Sequence, residues 1–219
     1  MRITTRTIFS ALAFTLAACT SAPPAPDWRM SAQQSIERAT KAYLEGNARV
    51  ESAEFARAKT EIARTGRADM LARAALARCA AEVASLVQTP CAAYENLRAD
   101  APKAEQAYAA YLAGVATDVA SLPAQHRAAA RATTDLQALA AVKTMTDALP
   151  RLIAAGVVFK RGQASPALID TAIDTASAEG WRRPLLAWLG VQLQRAEKAG
   201  ALDEAAKLRR RIRLVETGE

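Results

Sequence analysis

AYLEGNARVESAEFARA, residues 42–58, reads as the end of one helix, a tight turn and the start of another. Gly46 is a helix stop, and Asn47 supplies a side-chain oxygen for the free N–H groups that open the next helix. Before the turn, Ile36, Ala39 and Tyr43 recur at helical spacing; after it, Phe55, Ala58 and Ile62 do the same. Ser31 and Gln34 make a capping box for the first helix, and Gly66 closes the second. Two amphipathic helices joined by so short a link must lie antiparallel.

The same grammar runs on. Leu71, Ala75, Cys79, Val83 and Leu86 predict a third helix that ends before Pro90, followed by a short helical piece over 92–97. Asp100 and Pro102 open a fifth, with the stripe Ala104, Tyr108, Tyr111, Val115, Val119 and Leu122. Residues 123–131 and 134–148 read as one helix or two. Leu149-Pro150 then breaks the pattern, a single turn is expected over 152–155 before Gly156, and 157–164 reads as a loop around Lys160, Arg161 and Gly162. Ser165-Pro166 starts a helix bearing Leu168, Ile169, Ala172, Ile173 and Ala176, stopped at Gly180. Pro184 fits the first turn of the next, through Leu185, Trp188, Leu189 and Leu193 to Gly200. The last begins near Leu202, with Ala205, Leu208, Ile212 and Val215 in three-four spacing. No segment alternates long enough to predict a strand, and Ala and Arg, both abundant, are strong helix formers. The expected fold is all-α: a stack or irregular bundle of antiparallel helical hairpins over residues 31–216.

The opening hairpin resembles a tetratricopeptide repeat, with Ala39, Gly46, Phe55 and Ala58 near the positions that family fills with small, turn and packing residues. The likeness covers roughly the first 35 residues of the helical domain, and the 34-residue period does not continue. What it implies is a helical scaffold that binds other proteins. The amino end carries a second resemblance. Arg2 and Arg6 precede an apolar run over 8–18, far short of the about 20 residues that span a bilayer. That run closes on Leu16-Ala17-Ala18-Cys19, which resembles the lipobox of bacterial lipoproteins. The resemblance implies a signal peptide over 1–18, diacylglycerol on the Cys19 sulfur, cleavage before Cys19 and acylation of the freed amine. Thr20, where an Asp often retains such proteins in the inner membrane, implies transport to the outer membrane and a periplasmic orientation, as in outer-membrane lipoproteins of proteobacteria. Residues 19–30, rich in proline, read as an extended tether, with Trp28 capping the helical core.

Loss of Arg2 and Arg6 with the leader lowers the formal charge from +7 to +5. Export makes nucleic acid a poor partner. In an oxidising compartment Cys79 and Cys91 are expected to form a disulfide, which requires residues 87–90 to fold back. Metal and cofactor sites are not expected: the chain has one histidine, His126, read as exposed or helix-capping, and it lacks metal-protease, nucleophile-elbow, phosphate-loop and dinucleotide motifs. Asp170 and Asp174 lie one helical turn apart, a spacing that could serve glycan cleavage, but on the face opposite Ile169 and Ile173. Glu45, Glu51 and Glu54 cluster around the first turn. Arg209, Arg210, Arg211 and Arg213 make a candidate basic face on the last helix, suited to anionic lipid or wall polymer. Arg182 and Arg183 lie between Trp181 and Trp188, and Trp188 is placed in the core by its spacing from Leu185. The expectation is a non-enzymatic envelope module with a protein partner. A wall- or small-ligand-binding role for the arginine face comes next, and a glycan- or peptide-cleaving enzyme last.

Overall fold

The computed structural model describes residues 26–218. The expected signal peptide and lipobox, with Cys19, lie outside the described residues. Among the described residues there are eleven α-helices and no strand. In chain order these are α1 (Asp27–Glu45), α2 (Ala48–Ala63), α3 (Ala68–Ala84), α4 (Ala92–Glu95), α5 (Lys103–Leu112), α6 (Arg127–Arg131), α7 (Asp135–Lys143), α8 (Ala148–Lys160), α9 (Pro166–Ala178), α10 (Arg182–Lys198) and α11 (Leu202–Thr217).

Three helix starts are closed by side chains, whereas α5 begins after Pro102 with no side-chain cap, Asp100 belonging to a separate 3-10 turn. Asn47 Oδ1 accepts from Val50 N at 3.2 Å, Thr134 Oγ1 from Gln137 N at 3.3 Å, and Ser165 Oγ from Leu168 N at 3.3 Å. Each satisfies one of the donors that a helix start leaves open. The first helix begins earlier than expected, at Asp27. Pro26 precedes it, Asp27 complements the helix dipole, and Ser31 and Gln34 lie inside the helix. The stretch expected as tether therefore gives up its last residues to α1, and Trp28 packs on the cluster of Ala32, Ala39, Phe55 and Ile62.

The middle of the chain departs furthest from the sequence reading. The break at Pro150, the single turn and the first four residues of the expected loop, 157–160, are together one helix, α8; residues 161–164 lie outside it, with Gly162 at φ +73°. Pro150 is its third residue, where a missing N–H costs no hydrogen bond. Residues 152–158 are all buried, so the helix has no wet stripe to give it a period; a helix apolar on every side belongs at the centre of a core. It packs chiefly on α3 and α9. At Gly156 the two backbones meet: an added Cβ would lie 3.0 Å from the Val83 carbonyl carbon and Cγ1, and closer still to the carbonyl oxygen. The fifth helix, by contrast, is shorter than its stripe. Gly114, at φ +77°, takes the chain out of α5, and Val115 is exposed. The carbonyls left open there are met by two residues read as loop: Lys160 Nζ donates to Leu112 O at 3.2 Å and Arg161 Nε to Gly114 O at 3.3 Å.

Cys79 and Cys91 are bonded, with Cα atoms 5.6 Å apart. The chain turns back at Leu86, whose φ of 59° closes α3, rather than at Pro90. Trp188 is fully buried in the core; its Nε1 donates to Ala84 O at 3.1 Å and its ring meets Phe159 edge-on. Because α1 also touches α10, the hairpins curl around α3 and α8 into an irregular bundle instead of a straight stack.

Candidate functional site

α3 is built largely of alanine, and its neighbours can approach closely wherever those methyls are covered. Between α1 and α5, Leu76 and Ala80 are buried while Ala77 is only half-covered. There, Leu76, Ala77 and Ala80 floor a cavity of about 550 Å³. Thr40 of α1 stands on one side, Ala104, Glu105 and Tyr108 of α5 on the other, and Leu122, Leu149 and Ile153 close one end. The lining is overwhelmingly apolar. A second hollow of about 550 Å³ continues along the other side of α3 beneath Met30, Gln33 and Ile36, and shares Arg73 and Ala77 with the first. Together they make an open trough along α3, and each hollow by itself is within the size range of small-molecule sites.

One ion pair crosses this trough. Arg73 Nε and Nη2 donate to Glu105 Oε1 at 2.9 and 2.5 Å. Glu105 is almost wholly buried and Arg73 largely exposed, so the carboxylate is neutralised from the solvent side. The pair neutralises the junction of the two hollows, the first of which is apolar while the second is edged by Arg29, Gln33, Gln34 and Glu37.

Behind Tyr108 lies the histidine. His126 stands at the N-cap position of α6, but its side chain makes no capping bond and is 1% exposed, contrary to the expectation of an exposed residue. Its ring sits 5.7 Å from that of Tyr108 and 5.1 Å from that of Tyr111, and its Nδ1 is 3.4 Å from the Tyr111 hydroxyl. Desolvation lowers its pKa to about 4 and pushes both tyrosines well above their ordinary value. The imidazole is thus a neutral packing element at physiological pH.

The other residues singled out by sequence do not converge. Asp170 and Asp174 are exposed on α9; Asp170 accepts from Gln192 Nε2 at 2.9 Å, and the shallow hollow beside them contains Lys143 and Arg151 with no aromatic wall. Glu51 pairs with Arg78 at 3.0 Å, Glu54 with Arg38 at 2.9 Å and Glu45 with Lys41 at 3.7 Å, three separate structural ion pairs. Arg183 lies over the Tyr43 ring at 4.2 Å and Arg182 Nη2 donates to Glu216 O at 2.6 Å, so neither frames a stacking slot with Trp181. Arg209 and Arg211 reach Glu197 and Ser177, while Arg210 and Arg213 project from α11 into solvent. Among the described residues no group of three His, Cys, Asp or Glu side chains is placed to hold a metal, and no helix is long and apolar enough to cross a membrane. The trough itself escaped the sequence reading. Its only local trace is the run of alanines at 72, 74, 75, 77, 80, 81 and 84.

No family model, curated protein or solved structure matches the chain.

Proposed function

We propose that this chain is a non-enzymatic lipoprotein of the cell envelope, acylated at Cys19, held on the periplasmic side of the outer membrane, and bound to another envelope protein through the trough over α3. The observation that carries the binding half is the trough: apolar surface on a buried scaffold, open to solvent and walled by two helices. Small residues on its floor let a partner backbone or side chain come close, and apolar grooves between helices commonly take an amphipathic helix. The Arg73–Glu105 pair fixes one polar point along it. The anchoring half rests on the resemblance of Leu16-Ala17-Ala18-Cys19 to a lipobox. Burial of His126 and the exposed, cation-flanked position of Asp170 and Asp174 favour binding over catalysis.

A photoreactive amino acid placed at Ala77 in living cells tests the reading. The expected result is a discrete adduct with an envelope protein that disappears when Thr40→Arg closes the rim. The same probe at Leu136, exposed on α7, serves as the reference. Adducts that are the same from both positions, or none from Ala77, would overturn the assignment of the trough.

A further inference from the structure

Charge is not spread evenly along this chain. Residues 26–181 hold 18 Lys and Arg against 17 Asp and Glu, while residues 182–219 hold nine against five. The last hairpin, α10 and α11, therefore carries a net charge of +4 where the rest of the helical domain carries +1. On α11 the cations divide by face. Ala205 and Leu208 are buried against α10, with Ile212 and Val215 half-buried beside them. Arg209 and Arg211 flank this seam and are engaged by Glu197 and Ser177. Lys207, Arg210 and Arg213 lie opposite the seam by helical spacing, exposed, around Leu214, which is 56% exposed. Asp203, in the first turn, is the only carboxylate of that face.

We infer that the outer face of α11 is a second membrane contact, resting against anionic lipid head groups. Charge complementarity selects the occupant. Three cations against one carboxylate, Asp203, leave this face net positive around Leu214, a pattern suited to a diffuse negative surface with shallow apolar contact. A protein interface at this spot would need a larger apolar core than one leucine. The inference does not depend on the trough. Beside a multi-chain acyl anchor that already holds the chain at the membrane, such a contact would fix how the helical domain lies on it.

The test uses the chain without its leader, residues 19–219 with Cys19→Ser, so that neither an acyl group nor the apolar run over 8–18 contributes, and vesicles of phosphatidylcholine with or without phosphatidylglycerol. Co-sedimentation is expected only with the anionic vesicles and should weaken as salt rises. The variant K207Q/R210Q/R213Q should bind on the order of 100-fold more weakly, from the contribution of each basic residue near an anionic surface. R210K/R213K should bind like the parent, because a lipid surface reads charge and not guanidinium geometry. Circular dichroism would confirm that both variants are folded. Equal binding to both vesicle types, loss of binding in the lysine variant, or salt-sensitive retention on purified cell wall without vesicle binding would each overturn the assignment.

Discussion

Gly156 offers the sharpest test of how this fold is held together. It lies inside α8, where alanine is intrinsically better than glycine by about 1 kcal/mol. A Cβ there would press on the Val83 backbone of α3, at 3.0 Å from two atoms and nearer to the oxygen. Backbone cannot swing aside as a flexible side chain can, so the two central helices must separate. Overpacking of that kind costs about 3 kcal/mol at the upper end of its ordinary range. The net prediction for Gly156→Ala is a loss of about 2 kcal/mol, or a melting temperature lower by roughly 4–8 °C for a domain of this size. Gly190 provides the internal control, because it also lies within a helix, α10, and an added Cβ there meets nothing within 4 Å. Gly190→Ala should raise the melting temperature by about 2–4 °C. Thermal denaturation of the two variants, followed by circular dichroism, makes the comparison. If Gly156→Ala matched or exceeded the wild type, α3 and α8 would not meet as described.

The lone histidine permits a clean titration. With burial lowering its folded pKa to about 4 from the ordinary 6.5, the His126 imidazole should show no titration midpoint by NMR between pH 8 and 5; an inflection near 6.5 would place it in water. Because the unfolded chain takes up that proton first, stability from this residue is complete above about pH 6.5 and is lost as pH falls toward 4, a total of about 3 kcal/mol, read as a falling urea midpoint. Replacing both Cys79 and Cys91 with Ser should cost about 2–3 kcal/mol for a loop of this length, with the helical signal retained at 25 °C; an unchanged urea midpoint would mean the closure adds nothing.

Local signals made the ends of this molecule legible. Asn47, Thr134 and Ser165 announce helix starts through chemistry contained within four residues, and the stripes of α2, α9 and α11 face a partner on one side only. α8 was hidden for the opposite reason. Its residues 152–158 are buried on every side, so hydrophobic periodicity vanishes where burial is greatest. Pro150 and Gly156 looked like breakers but occupy the two kinds of position where a helix tolerates them, the first turn and a close backbone crossing. The stripe from Tyr111 to Leu122 misled because Gly114 interrupts it while the apolar spacing happens to continue. His126 and the trough are non-local: tyrosines from α5 bury the imidazole, and the trough walls come from residues as far apart as Thr40 and Ile153. Nothing in a single window of sequence holds that information. The disulfide stands between these cases. Its partners were evident from their number, but the reversal that joins them sits at Leu86, a residue type that does not advertise a left-handed turn.

Where the chain works decides which partners its surfaces can meet, and the proposal places that decision on the Cys19 sulfur. Intact mass spectrometry of the native polypeptide, extracted from membranes, reads that directly. A chain beginning at Cys19 and carrying a diacylglyceryl group with an acylated amine is the predicted result, abolished by Cys19→Ser. An unmodified Cys19, or processing at another residue, would contradict the account.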